Sequence, residues 1–190
     1  YSMKKGLKLF LLTDSWATLA LGMIGPIYAI FVQKVGGNIL DAAWAYFYFM
    51  VTTGVAIYII GKWEDRVRHK EILITLGYVL TSVGCLLYIY VYNQTSLIIT
   101  QIVLGLAGAV LIPASDAFYS TFLDGKRRAS EWGLWEGSYY VLTGVAAVVG
   151  GFMAHHYGFK MLFIAMFIIS LLSVVFSFSL HKEKKYLNRS

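Results

Sequence analysis

The sequence predicts an all-α, polytopic membrane protein with six transmembrane helices. Of its 190 residues, 58% are hydrophobic and 14% are charged, a balance too apolar for an ordinary soluble domain. A bilayer core of roughly 30 Å is crossed by about 20 mainly apolar residues of helix. The chain contains runs of that length, and they show no period-2 alternation, so a membrane-spanning β-barrel is not expected.

The six apolar runs are separated by short polar loops. Because they leave little chain for anything else, we expect residues 1–190 to form a single six-helix transmembrane domain. The predicted spans lie at about 8–33, 39–60, 71–92, 96–122, 131–154 and 160–180.

The distribution of Lys and Arg predicts the orientation of the chain. The N-terminus, the second–third loop, the fourth–fifth loop and the C-terminal tail together hold 14 of the 16 basic residues. Only Lys34 and Lys160 lie on the other side. Since positive loops stay inside, both termini are expected in the cytoplasm, and we place the chain in a bacterial or archaeal inner membrane. The net charge of +6 follows from the same rule, so it does not indicate nucleic-acid binding.

An internal repeat is visible in the first and fourth spans. The first contains the segment 21–25, Leu-Gly-Met-Ile-Gly, followed by Pro26, and the fourth contains 104–108, Leu-Gly-Leu-Ala-Gly, followed by Pro113. Three spans separate the two copies, so they cross the membrane in opposite directions. This pattern predicts an inverted three-plus-three repeat. The glycines could line a cavity or let helices approach closely, and both readings remain open.

The charged segment between the second and third spans reads Gly-Lys-Trp-Glu-Asp-Arg-Val-Arg-His-Lys over residues 61–70. Gly61, Asp65, Arg66 and Lys70 match the loop pattern G-x-L-a-D-R-x-G-R-K of the major facilitator superfamily. The segment 101–108 is similar to the fourth-helix pattern R-x-x-x-G-x-x-G of that superfamily, with Gln101 in place of the arginine. The chain therefore resembles one six-helix half of a major facilitator protein.

The resemblance implies an arrangement of the helices and a role for the charged loop. The first and fourth helices would line a central cavity, and the second and fifth would border another half. The third and sixth would lie outside, which agrees with their lack of a polar stripe. Gly61, Asp65, Arg66 and Lys70 would form a cytoplasmic gate.

Three carboxylates lie well inside predicted spans, away from the span ends: Asp14, Asp116 and Glu136. A charge near the bilayer centre costs at least ~2.5–3.5 kcal/mol, so it is seldom kept without a role. Each lies about six residues to the cytoplasmic side of its span's midpoint, or roughly 9 Å. We predict one acidic layer that binds a proton or a cation. Alternatively, Asp116 could latch to Arg66 or to the basic cluster at 126–128 as a gate, Asp14 could cap its helix or snorkel near the cytoplasmic surface, and Glu136 could contact a neighbouring half.

Helical phase groups these acids with small and polar side chains on the inner faces of three spans. The predicted substrate-cavity residues are Thr18, Gly22, Gly25, Gln101, Gly105, Gly108, Tyr119 and Tyr140.

These residues favour a secondary transporter of the major facilitator type over other classes of protein. We expect a half-size transporter that forms a parallel homodimer in the lipid bilayer and moves a cationic or amphipathic small molecule by alternating access, with proton coupling. The alternative is an excised or non-transporting half that acts as a membrane scaffold or binding subunit. No nucleophile–base pattern, metal-binding signature or phosphate loop occurs in the sequence, so we expect no enzyme, no metal and no cofactor.

Overall fold

A computed structural model describes residues 5–64, 66–67, 69–123, 125 and 127–187, with side chains described as far as His181. Over these residues the regular structure consists of seven α-helices and one short 3₁₀ turn. The α-helices are α1 (Lys5–Gly22), α2 (Tyr28–Lys34), α3 (Ile39–Glu64), α4 (Lys70–Tyr88), α5 (Gln94–Ser120), α6 (Arg128–Tyr157) and α7 (Phe159–Leu187). The end of the bundle at which α1 begins is named the basic end, because Lys5, Lys62 and Arg127 lie there.

Six stretches of the described chain are long and apolar enough to cross a bilayer, which confirms the predicted all-α membrane fold. α1 and α2 together form the first span, Lys5–Lys34, and α3 to α7 form the other five. The third span ends at Tyr88 rather than near residue 92, and α7 continues to Leu187, beyond the predicted end at 180.

The first span is interrupted at Pro26. Proline has no backbone N–H, so it cannot donate to the carbonyl four residues earlier, and its ring crowds that carbonyl. The chain passes here through the 3₁₀ turn Gly25–Ile27, in which the N–H of Ile27 donates to the carbonyl of Ile24 at 3.1 Å. Pro113, in contrast, lies inside the continuous helix α5. Pro26 and Pro113, which the sequence pairs in the predicted repeat, therefore differ: Pro26 interrupts its span, whereas Pro113 does not.

The helices pack in a defined order. α1 packs against α7 and α6, whereas α5 packs against α4 and α3, and α4 and α7 pack against each other in the middle. An inverted repeat would exchange α1 with α5, α3 with α6 and α4 with α7, and these contacts are consistent with that exchange. The repeat itself stays a prediction. Burial differs widely between spans, since 61% of the most apolar stretch of α4 is buried but only 11% of that of α6.

The third span, α4, was expected at the periphery, and this holds for one face only. Ile72, Leu76, Val79 and Val83 form an exposed apolar stripe, but most of the other residues of α4 are buried. Its two threonine hydroxyls do not need an aqueous face, because Thr75 and Thr81 donate to carbonyls four residues earlier in the same helix. The low polarity of α4 therefore does not place the whole helix at the periphery of the bundle.

Glycines set the distance between neighbouring helices. Gly22 of α1 leaves room for α6, since a Cβ there would lie 3.0 Å from the Cβ of Ala146. Gly105 of α5 does the same for α3, where a Cβ would lie 2.8 Å from the carbonyl oxygen of Phe49. A Cβ at Gly150 would overlap the backbone of Met23. At Gly22 and Gly105, therefore, close packing is the role that the structure supports.

We expect Gly150→Ala to lower the free energy of unfolding by about 1–3 kcal/mol, because the added methyl group forces α6 away from α1. Gly151→Ala is the matched control, since no heavy atom lies within 4 Å of its Cβ position. Alanine favours helix over glycine, so this variant should be neutral or more stable by up to about 1 kcal/mol. Thermal unfolding in detergent compares the two. Equal stability of both variants would contradict the assigned contact.

Candidate functional site

Asp14 is held between two other helices by a pair of hydrogen bonds. The phenol O–H of Tyr78 in α4 donates to its Oδ1 at 3.1 Å, and the indole N–H of Trp135 in α6 donates to its Oδ2 at 2.7 Å. Tyr78 is fully buried. Each carboxylate oxygen thus has a neutral donor, and Asp14 joins α1, α4 and α6.

Asp116 and Glu136 have a different environment. Both side chains are exposed on the surface of the bundle, and within the described part of the chain neither has a hydrogen-bond or ion-pair partner. Asp116 of α5 is close enough to interact electrostatically with Glu136 of α6 and with Asp14 of α1. The structure therefore places Asp116 within electrostatic reach of both other acids. The alternative contact between Asp116 and Arg66 is not formed.

An aromatic cluster adjoins Asp14 near the basic end. The ring centroid of Trp135 lies 4.6 Å from that of Tyr119 and 5.0 Å from that of Phe10. Trp132 stacks on Trp135 at 5.4 Å. The phenol of Tyr119, predicted to line a cavity, is buried and donates to the backbone carbonyl of Glu131 at 2.5 Å. These rings join α1, α5 and α6.

Gln101 lies at the other end of the bundle and binds two tyrosines. Its amide Nε2 donates to the phenol oxygens of Tyr28 at 2.9 Å and of Tyr88 at 2.8 Å. The side chain is only 5% exposed. Gln101 therefore joins α5 to α2 and α4, and its amide nitrogen is already occupied in this conformation.

The remaining predicted cavity residues are divided between the interior and the surface. Thr18 is buried, and a Cβ at Gly108 would make an ordinary contact with Thr53 of α3 at 3.5 Å. Gly25 has open space at its Cβ position, and Tyr140 is 69% exposed. Together with Asp116 and Glu136, these last two residues are open to a ligand or a partner.

A shallow groove of about 510 Å³ lies beside α6, but none of the predicted site residues lines it. Its walls are apolar and small side chains of α6 together with Ser15 of α1.

The predicted gate motif is only partly a loop. Gly61 belongs to α3, which continues to Glu64, and Lys70 begins α4. The Lys70 ammonium group donates to the backbone carbonyl of Glu64, so it closes the connection between the two helices. Arg66 is exposed, and Asp65 lies outside the described residues.

The sequence analysis missed the partners of Asp14. A phenol O–H or an indole N–H in an apolar helix needs an acceptor, which is a usable signal. However, the chain has 14 Tyr and five Trp, and their number leaves the pairing undetermined.

We expect Gln101→Leu to destabilise the fold by about 1–3 kcal/mol, because two hydrogen bonds are lost and the buried Tyr88 phenol loses a donor. Gln33→Leu is the control, since Gln33 is exposed and its side chain forms no hydrogen bond with the described residues. Thermal unfolding of the purified variants measures the difference. A Gln101→Leu variant as stable as Gln33→Leu would exclude a structural role for this amide.

The sequence is similar to those of several membrane proteins, three of which are described here. It is 24% identical over 176 residues to the uncharacterized MFS-type transporter MJ1560 of Methanocaldococcus jannaschii. This alignment covers 93% of the chain and 45% of MJ1560. The identity to the uncharacterized MFS-type transporter YitZ of Bacillus subtilis is 24% over 155 residues, covering 81% of the chain and 93% of YitZ. The identity to the multidrug resistance protein MdtG of Escherichia coli is 25%, covering 88% of the chain and 42% of MdtG.

The chain thus spans about half the length of MJ1560 and MdtG and nearly the whole length of YitZ. The sequence profile of the Major Facilitator Superfamily matches residues 15–190, which is almost the entire chain. Members of this superfamily are membrane transporters and not enzymes. Together with the six-span fold, this match shows that the chain belongs to the Major Facilitator Superfamily.

Proposed function

We propose that the chain is one half of a secondary transporter that carries cationic or amphipathic small molecules. The observation that supports this most directly is the pair Asp116 and Glu136, two exposed carboxylates in membrane-spanning helices without a basic partner among the described residues. Since a bilayer provides no counter-ion, such acids are suited to bind a cation or a proton. The name of MdtG, a multidrug resistance protein, supports small drug molecules as substrates.

Asp14, Asp116 and Glu136 are proposed to exchange protons as the substrate moves. A carboxyl group that holds a proton cannot at the same time pair with a cation, so a proton and a cation compete for these acids. A cation that binds to Asp116 and Glu136 would then displace a proton from the same group of acids. This competition would couple substrate movement to a proton gradient. Gly25 and Tyr140 are open positions that could contribute to the cavity wall.

A parallel homodimer is proposed to complete the cavity. One half supplies only one wall, and the two halves of a major facilitator protein are parallel repeats. α3 and α6 expose broad apolar faces, with Tyr58 74% and Val148 74% exposed, and these faces could pack against a second copy. Alternating access would then be a rocking of one copy against the other. The connections between α3 and α4, with Arg66 and Lys70, would act as cytoplasmic gates.

We expect Asp116→Asn and Glu136→Gln each to reduce proton-driven accumulation of ethidium in proteoliposomes by about tenfold, since binding and coupling energies of this kind are worth about 1–3 kcal/mol. Asp116→Glu and Glu136→Asp retain the charge and serve as controls, so they should keep most of the activity. Undiminished transport by the double neutral variant would exclude the pair as the cation site. If neither wild type nor variants transport any of several lipophilic cations, the scaffold or binding-subunit alternative is favoured.

The oligomeric state tests the homodimer separately. Native mass spectrometry of the protein released from nanodiscs should show a particle of about twice the chain mass of 21.3 kDa, since C2 dimers are the commonest closed assembly. A particle with one copy at every protein concentration would contradict the homodimer. In that case a different half would have to complete the cavity.

A further inference from the structure

Asp14 differs from the two exposed acids because both of its oxygens are already bound. Tyr78 donates to Oδ1 and Trp135 to Oδ2, and the two donors come from different helices. We propose that Tyr78 and Trp135 are positioning residues that couple the charge state of Asp14 to the packing of α4 and α6 against α1. This inference rests on the proposed function, in which Asp14 takes up and releases a proton.

The chemistry of the two donors makes the arrangement sensitive to that proton. A carboxylate accepts hydrogen bonds at both oxygens, whereas a carboxylic acid carries one O–H that must donate. A phenol can either donate or accept, but an indole N–H can only donate. A proton that binds Asp14 is therefore placed on Oδ1, where Tyr78 can reverse its role and accept. Trp135 keeps its contact with Oδ2, which becomes a carbonyl oxygen.

The hydrogen bond of Trp135 is weakened by this change. Hydrogen bonds to an ionised acceptor are about twice as strong as those between neutral groups. When Asp14 is protonated, the indole N–H faces a neutral acceptor, and Tyr78 must find another acceptor for its own proton. Both contacts that hold α4 and α6 to α1 are thus strongest when Asp14 is charged.

Trp135 also belongs to the aromatic cluster, so a change at its N–H extends beyond Asp14. Its ring lies 4.6 Å from Tyr119 of α5 and 5.0 Å from Phe10 of α1. Tyr119 in turn donates to the backbone of Glu131, close to the start of α6. A loosened Trp135 therefore affects the junction of α1, α5 and α6 near the basic end.

The charged groups around Asp14 are acids of the proposed site. Asp116 of α5 acts on Asp14 electrostatically and interacts with Glu136 of α6, the residue next to Trp135. α4 presents the phenol of Tyr78, and α7 contacts α1 through the ring of Phe176, which stacks on Trp16. A cation bound at Asp116 and Glu136 would offset the repulsion that Asp116 exerts on Asp14.

The test compares uphill transport with exchange in Trp135→Phe and Tyr78→Phe. Each substitution keeps an aromatic ring and removes one donor to Asp14. We expect proton-driven accumulation of ethidium to fall by about tenfold, whereas counterflow at equal pH on both sides changes by less than about twofold, since only the coupling contact is lost. A merely structural role would reduce both processes together.

Two matched controls are available. Trp16→Phe is the same substitution in α1, and its buried indole N–H has no acceptor among the described residues. Tyr139→Phe removes a phenol that is 47% exposed. Both controls should retain accumulation and counterflow at the wild-type level.

A fluorescence measurement gives a readout that does not depend on transport. The difference in tryptophan fluorescence between acidic and neutral pH should contain a component from Trp135 that is absent in Asp14→Asn. If that component is the same in wild type and Asp14→Asn, the inference is overturned.

The outcomes separate this inference from the proposed function. If Asp14→Asn remains fully coupled, Asp14 is not a coupling site and the proposed function fails at that residue. If Asp14→Asn is uncoupled but Trp135→Phe and Tyr78→Phe behave like wild type, the positioning role is overturned while the proposed function stands.

Discussion

The absence of hydrogen-bonding solvent in a bilayer is the constraint on which this structure depends. Every polar group placed in a spanning helix must find its partner inside the protein, or it remains available to a ligand. Asp14 and Gln101 meet this requirement through Tyr and Trp side chains of other helices. The hydroxyls of Thr75 and Thr81 meet it within their own helix. Among the acids inside the spans, Asp116 and Glu136 have no such partner within the described residues, and they are therefore the ones that point to function.

The hydrogen bonds of Asp14 and Gln101 join neighbouring helices at opposite ends of the bundle, and both sets include α4. Asp14 ties α4 and α6 to α1 in the cluster around Phe10 and Tyr78, near the basic end. Gln101 ties α2 and α4 to α5 in the cluster around Phe31 and Tyr88, at the opposite end. α4 takes part in both links, which explains why it is the most enclosed span although its sequence has no polar stripe.

Glycine packing and polar links have complementary roles. Close contacts at Gly22 and Gly150 hold α6 against α1 over its second half, and the Asp14 to Trp135 hydrogen bond holds the first half. The glycine contacts do not change with charge, whereas the hydrogen bond does. Under the proposed function, α6 would pivot about its glycine contacts when Asp14 changes its charge. Its most apolar stretch is the least buried of the six spans, so this movement would reach the surface proposed to face a partner half.

The sequence by itself determined the membrane class, the six spans and the three intramembrane acids, because hydropathy and charge act through composition along the chain. It also indicated the superfamily through the motif at Gly61 to Lys70. Only the tertiary structure decided that Asp14 is bound on both oxygens, that Gln101 is engaged by two phenols, and that Gly22 and Gly105 pack against other helices. These properties depend on contacts between residues far apart in the chain. Helical periodicity predicts on which face of a helix a residue lies, but not which residue of another helix it contacts.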